Sequence, residues 1–507
     1  MPNFDRMAIR GTHLNLTFTN QPVCGPARAS IQTGQYPTTI GVWKNAIKLP
    51  EDRQTLAHYF KQGGYQTAYI GKWHLAADMV NGEGPVPENE RGGYEYWLAS
   101  NILEFTSQPY HTVMFDNENQ PVSLPGYRVD AVMDSAIRYI TNHRQKPFFL
   151  YLSFLEPHHQ NNQDDYPAPE GYRERYEGRW VPADLAALGG SSLYGNIGGY
   201  FGMVKRLDEA LGRMLDALKS LGILDNTIVL FTSDHGNHFK TRNWEYKRSG
   251  HESSIRIPAA LTGPGFTGGG QVQQMVSHID ILPTLLNAAA LPITEGTPGR
   301  AVTPLKRDLM EDWPEEVLVQ VSESQVGRAL RTKRFKYIVA APDLGGFDVP
   351  DAPLYREEML YDLMADPHEL TNLAGLESYR DIADSLKPGG MLREVAAVTG
   401  DGSLIPMGWS YRAFLQVYKA ATRAGGLGKA HGLRHSYAQR RYEALTGAPC
   451  PACGGRTADA MSIADRFIDQ EARLTISAEL GHGRIEVTDT YLGRRWASGH
   501  FRKAAAS

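Results

Sequence analysis

Several short stretches hold side chains whose types and spacing could do chemistry. In residues 21–37, QPVCGPARASIQTGQYP, Cys24 stands two residues before Pro26 and four before Arg28. A thiol before proline, with an arginine one helical turn on, suits an anion site at a helix N-terminus. Free amides and the macrodipole there favour negative charge and lower a cysteine pKa. The same spacing also fits a buried free cysteine beside a turn. Gly71-Lys72-Trp73-His74 and Glu156-Pro157-His158-His159 each follow an apolar run. In Ser233-Asp234-His235-Gly236-Asn237, neighbouring oxygen and nitrogen donors suit a divalent cation, although D-H-G is equally a good turn sequence. Lys247 is singled out only by its place after that stretch.

The elements that must position these residues follow an α/β pattern. Residues 53–64 predict a helix with Leu56, Tyr59 and Phe60 on one face, closed by Gly63-Gly64; a strand over 66–70 then runs into Lys72 and His74. Helix, glycine stop, strand and charged loop place the chemistry at the C-terminal end of the strand. A second amphipathic helix over 129–144 precedes the nearly all-apolar run 147–154, which reads as a strand covered on both faces and ends at His158. Residues 160–197, polar and rich in Gly, Pro and Tyr, read as a surface insertion over the site, a usual place for substrate selectivity. From Val204 the apolar spacing of three and four predicts a helix stopped by Gly222, and a strand over 227–232 then delivers Asp234. Residues 277–286 read as a loop and a scaffold helix, and 315–340 as two strands, Glu316–Val321 and Arg334–Val339, of a smaller antiparallel unit.

Bulk properties set the frame. A chain of 507 residues predicts about three domains. Its 42% hydrophobic and 21% charged residues are ordinary for a soluble globular protein. Three cysteines cannot build a disulfide framework. The absence of a long apolar stretch predicts no membrane association, and an N-terminus without a basic flank or apolar core predicts a cytoplasmic location. The net charge of −4 is uneven, with residues 391–507 basic and the remainder acidic, which points to different partners for the two parts.

The run Cys24-Gly25-Pro26-Ala27-Arg28 with Thr33-Gly34 resembles the signature of type I sulfatases of the alkaline phosphatase superfamily, and the resemblance covers about residues 1–388. It implies a mixed, mostly parallel sheet flanked by helices over residues 1–300 and a small antiparallel C-terminal subdomain over 301–388. It also implies that Cys24 is oxidised by a formylglycine-generating maturation enzyme to an aldehyde whose hydrate is the nucleophile. By the same resemblance Arg28 stabilises that hydrate, and Lys72 and Lys247 hold the ester oxygens. His158, with His159 as the weaker candidate, or Lys247 assists the leaving group, and His74 takes the second hydroxyl's proton. Asp234 and His235 bind Ca²⁺ or Mg²⁺. Sulfatases normally begin with a buried strand ending in paired aspartates, some distance before a segment like Pro2-Asn3-Phe4-Asp5-Arg6. This chain starts without it, which implies weak metal binding, a sheet uncovered at its middle and impaired activity.

The tail, 391–507, has a different resemblance. His431-Gly432-Leu433-Arg434-His435, Leu480-Gly481-His482 and Tyr491 resemble in order the catalytic motifs of tyrosine recombinases, the phage-type integrases. That implies a mainly α-helical catalytic-domain fragment in which His431, Arg434 and His482 neutralise a scissile DNA phosphate and Tyr491 attacks it. The family's first arginine and strand-borne lysine are not found upstream, so DNA contact through a basic surface is the expectation rather than strand transfer. Cys450-Pro451-Ala452-Cys453 is a single C-x-x-C knuckle with no second pair to complete a zinc site. The expected function is hydrolysis of a sulfate ester of a small molecule or glycan. The alternatives are a phosphodiester or phosphonate monoester hydrolase on the same fold, a DNA-binding integrase-like protein, and an inactive fusion product.

Overall fold

The structure, a computed structural model, describes residues 1–77, 84–303, 305, 313–386, 431–479 and 488–493, with the side chains of 431–437, 463, 478, 479 and 490 outside that description. The chain forms two compact units, Met1–Leu404 and Ile405–Ser507. In the first unit the strands are, in order, β1 (Thr12–Phe18), β2 (Gln66–Lys72), β3 (Tyr96–Ser100), β4 (Thr112–Phe115), β5 (Pro121–Leu124), β6 (Phe148–Ser153) and β7 (Val229–Thr232). They continue as β8 (Arg256–Ile257), β9 (Ala259–Thr262), β10 (Gln271–Ser277), β11 (Glu316–Val321), β12 (Gly327–Thr332), β13 (Phe335–Ala340) and β14 (Arg356–Asp362).

These make three sheets: β10-β1-β9-β7 with β8 also on β1, then β5-β4-β3-β2-β6, and the antiparallel β11-β12-β13-β14. The expectation of a mostly parallel sheet needs correction. The two larger sheets hold three parallel pairings, β1 with β10 and β2 with both β3 and β6, against five antiparallel ones. The tight β4–β5 connection reverses the chain without a crossover helix, which makes those two strands antiparallel.

The all-apolar run 147–154 forms β6, but its residues from Phe148 to Leu152 are half-buried rather than covered on both faces. Among the described residues β6 pairs only with β2, and β7 only with β9. These two edges line an apolar cavity of about 1080 Å³, walled by Ile31 and Phe60 on one side and Leu207 and Met214 on the other, with Cys24 and Asp234 also in its lining.

The helix predicted from Val204 begins earlier. It spans Ser191–Ser220, so the end of the stretch read as surface insertion, 191–197, is its start. A Cβ at Gly199 would meet the Tyr166 carbonyl at 2.2 Å and one at Gly202 the Ala168 Cβ at 2.6 Å. The glycines therefore serve close helix packing, which outweighs their poor helix propensity. Gly222, at φ +70, follows its end as expected. The C-terminal sheet has four strands rather than two. Arg328 and Arg331 disguise β12, yet both are buried, Arg331 by pairing with Glu252 at 3.2 Å. Phe18, Ile255 and Met275 share one apolar cluster with Val317, Ala329 and Ile338, so this sheet packs on the first.

In the second unit, helices His431–Thr446 and Ile463–Glu479 and the short helix Asp489–Leu492 bury Ala438, Tyr442, Ile476 and Leu492 together. No described helix is long and apolar enough to cross a membrane.

Candidate active site

Cys24 is the first residue of the helix Cys24–Thr33, entered from an extended Val23 and buried along its whole length. The Gly25 amide donates to Asn45 Oδ1 at 2.9 Å, which holds the helix start in place. One turn on, Arg28 ties three strand ends together. Its guanidinium donates to the Lys72 carbonyl at the end of β2 (2.9 Å) and to Ser153 Oγ at the end of β6 (2.6 Å). It also pairs with Asp234 just past β7 at 3.1 Å. The spacing read as an anion site thus becomes a hub, because one long planar donor reaches all three strands.

Around the Cys24 sulfur, Lys247 Nζ lies at 2.8 Å, His235 Nε2 at 3.3 Å and Lys72 Nζ at 4.0 Å. Lys247 Nζ also lies 3.2 Å from His158 Nε2 and 3.1 Å from His235 Nε2. The orienting bonds choose the tautomers. His158 Nδ1 faces the His159 carbonyl at 2.7 Å and His235 Nδ1 the Gly236 carbonyl at 2.9 Å, so each Nδ1 carries the proton and each Nε2 accepts from Lys247.

Burial alone would raise the Cys24 pKa, but the charges of Lys247 and Lys72 outweigh it and push the thiol well below its usual value. Burial also opposes ionisation of Asp234, and the Arg28 guanidinium 3.1 Å away holds that carboxyl well below the ordinary carboxylate range. His158 is lowered by burial and then by Lys247, which keeps it a neutral acceptor.

The structure therefore brings together Cys24, Arg28, Lys72, His158, Asp234, His235 and Lys247. His159 stands aside, stacked between His158 and Tyr246, with burial pushing it down to about 3. His74 makes no hydrogen bond to Cys24. Its backbone amide donates to the Asn101 carbonyl at 2.7 Å and its buried Nδ1 has no partner among the described residues. His251 is buried beside Tyr361, its Nε2 3.3 Å from the hydroxyl. The insertion reaches the site's rim: Asn237 donates to the Tyr166 hydroxyl at 2.6 Å and Tyr246 to Asp164 at 2.9 Å.

Sequence reasoning missed Glu104, whose carboxylate meets Lys72 Nζ at 2.6 Å, and Ser153. Glu104 sits on a single helical turn, Leu103–Thr106, with no sequence motif around it, so no local signal could have found it. Ser153, the last residue of a predicted strand, could have been suspected from its position at a strand end.

Ligand atoms of Cys24, Asp234 and His235 lie within 4.8 Å of one another, the one such group among the described residues. A carboxylate and an imidazole fit a divalent cation as two donors, where calcium takes six to eight.

In the second unit the tail's expected residues are not seen together. The side chains of His431 and Arg434, and all of His482, lie outside the described residues. Tyr491 is 3% exposed, packed with Tyr442, Cys450, Ile476 and Leu492. A nucleophile for DNA needs access that this burial denies. Cys450 is buried and Cys453 exposed, at the two ends of one short turn.

Comparisons with known proteins agree with the geometry. The model of a family described as Sulfatase matches residues 1–291, and that of the N-sulphoglucosamine sulphohydrolase C-terminal region matches residues 241–394. An ulvan-active sulfatase of Formosa agariphila is 29% identical over 402 residues, covering 76% of this chain and 74% of its own. A solved structure in complex with its substrate D-glucosamine-2-N,6-O-disulfate superposes with a TM-score of 0.64 at 23% identity, covering 79% of this chain and 93% of that one. The phosphonate monoester hydrolase of Agrobacterium radiobacter superposes with a TM-score of 0.60 at 22% identity, covering 78% and 91%.

Proposed function

The chain belongs to the sulfatase family, and from that premise we propose that it hydrolyses the sulfate ester of a sugar or another small alcohol at Cys24. The observation that carries this reading is the meeting of Cys24, Lys72, His158, Asp234, His235 and Lys247 around one sulfur, from five separate stretches of the chain. The substrate complex of a structural neighbour supports a sulfated sugar as the class of substrate.

Formylglycine made from Cys24 by a maturation enzyme supplies the nucleophilic oxygen. A divalent cation, calcium or magnesium, would be held by Asp234 and His235 and polarises the ester oxygens when bound. The chain's own side chains do the rest. Arg28, fixed by its bonds to Ser153 and Lys72, keeps Asp234 ionised and aimed at the site. Lys72 offers a clamped positive charge to the ester. Lys247 Nζ, shared between His158 and His235, is the proton carrier nearest the nucleophile, and it gives its proton to the departing alcohol while the Nε2 of His158 takes up the next one.

The apolar cleft between β6 and β7, ending at Asp234, supports the reading that a further strand with acidic residues at its end completes the metal shell. Metal binding by Asp234 and His235 alone is weak on that reading. For the tail, the basic charge of residues 391–507 supports contact with DNA, while the burial of Tyr491 speaks against strand transfer.

The test is turnover of p-nitrophenyl sulfate beside the matching phosphodiester and phosphonate monoester, in the parent and in Cys24→Ala. We expect the sulfate ester to be preferred, all turnover to vanish in the variant, and the Cys24 peptide to show the mass loss of a thiol exchanged for an aldehyde. Activity that survives Cys24→Ala would sink the assignment.

A further inference from the structure

The three cations of the site are not equivalent. Arg28 pairs with Asp234 at 3.1 Å and Lys72 with Glu104 at 2.6 Å. Lys247 faces Cys24, His158 and His235, and among the described residues no carboxylate pairs with it. The Lys72 and Glu104 side chains are only 1% and 3% exposed, so water screens their charges little. Glu104 stands on the short helix Leu103–Thr106, and its placement is built rather than incidental. Its carbonyl accepts from Gln160 Nε2 at 2.8 Å, Gln160 Oε1 accepts from Arg128 at 3.3 Å, and Arg128 pairs with Glu156 at 2.9 Å. Its second carboxylate oxygen, buried, has no hydrogen-bond partner among the described residues. Burial raises the Glu104 pKa, but Lys72 outweighs it and holds the carboxyl at about 2, so the residue is ionised near neutral pH.

We infer that Glu104 is a specificity-determining residue: by cancelling the charge of Lys72 it sets the site to prefer singly over doubly charged tetrahedral esters. This rests on the reading above that an ester anion binds beside Cys24. With Arg28–Asp234 and Lys72–Glu104 each neutral as a pair, and Cys24 carrying no charge once converted, Lys247 is the one uncompensated cation. It balances a sulfate monoester, a phosphodiester or a phosphonate monoester, each with a single negative charge. A phosphate monoester brings a second charge that nothing meets, and an unpaired charge in a dry site is costly. A divalent cation held at Asp234 and His235 raises the total equally with and without Glu104, so the difference that Glu104 makes persists. One unit of charge some 6 Å from the ester, at an effective dielectric constant of about 20, corresponds to roughly a hundredfold change in the relative binding of the two ester classes.

The experiment compares phenyl sulfate with phenyl phosphate at mildly alkaline pH, where the phosphate is doubly charged. In the full chain carrying Cys24→Ala, where no thiolate offsets Lys247, the binding of each ester is read by isothermal titration calorimetry, with and without the substitutions below. Turnover of both esters is measured on converted protein. The parent should favour phenyl sulfate by about tenfold or more, E104Q should move the ratio roughly ten- to a hundredfold towards phosphate, and the double variant K72Q/E104Q should return towards the parental ratio. A parent that binds the two esters equally overturns the inference without any variant, and so does a folded E104Q, checked by thermal unfolding, with an unchanged ratio. If the binding ratio moves but neither ester is turned over, the role of Glu104 stands and the hydrolase reading falls. If esters are turned over but the ratio is fixed, the reverse holds.

Discussion

Strands β2 and β6 lie side by side in parallel, and both feed the site, yet their surroundings differ. Every residue of β2 from Thr67 to Lys72 is buried, whereas β6 stays half-buried from Phe148 to Leu152 although its sequence is the more apolar. β2 has a strand on each side and an aromatic cluster of Tyr69, Trp73, Tyr94 and Trp97 over it. β6 has one neighbour and a cavity. Composition states what a strand could bury, and neighbours decide what it does bury. The closed side also holds the buried Lys72–Glu104 pair, whereas Lys247 comes from a loop beyond the open edge.

That contrast can be broken or sharpened. The largest effect is expected on the closed side. Trp97→Ala should cost about 3–5 kcal/mol in denaturant unfolding, because a fully buried ring in a cluster leaves a cavity that its neighbours cannot fill. Leu150→Ala on the open edge should cost about half as much or less, roughly 1–2 kcal/mol, since its side chain is already partly uncovered. Equal costs for the two variants would erase the distinction.

An acid titration of stability sharpens it further. The Glu104 carboxyl is lowered in the fold from 4.5 to about 2, so its stabilising contribution is complete above the unfolded value and is lost as pH falls through that window. E104Q should flatten that part of the curve while leaving the neutral region unaffected in shape. A parent with no loss of stability over this window would show that the pair is not held as described. The smallest effect is expected at Trp244, which is 96% exposed. Trp244→Ala should shift stability by less than about 0.5 kcal/mol, measured by thermal unfolding.

Much of the frame was legible. The helices Leu56–Gln62 and Arg128–His143 and the strands β2, β6 and β7 come within a few residues of their predicted spans, because apolar spacing and glycine stops are local signals. The helix start at Ser191 was not legible, since its glycines read as loop until the packing partners Tyr166 and Ala168 are seen. Strands β12 and β14 were hidden by charged residues that find partners only across the fold, as Arg331 does with Glu252. In the site, an anion-binding helix start was readable from the spacing of Cys24 and Arg28, and Lys72, His158, Asp234, His235 and Lys247 were readable chiefly through their resemblance to sulfatase motifs. Glu104 and Ser153 were not, for they act through contacts with residues distant in the chain.

By itself, the sequence determined where strands end and which reactive side chains stand at those ends, because hydrophobic period and turn residues act over a few positions. It also set the placement of Cys24 at the start of a helix with Arg28 one turn on. Only the tertiary structure decided which lysine is paired with a carboxylate, and which apolar strand is covered. Charge pairing and burial depend on neighbours that arrive from tens to hundreds of residues away.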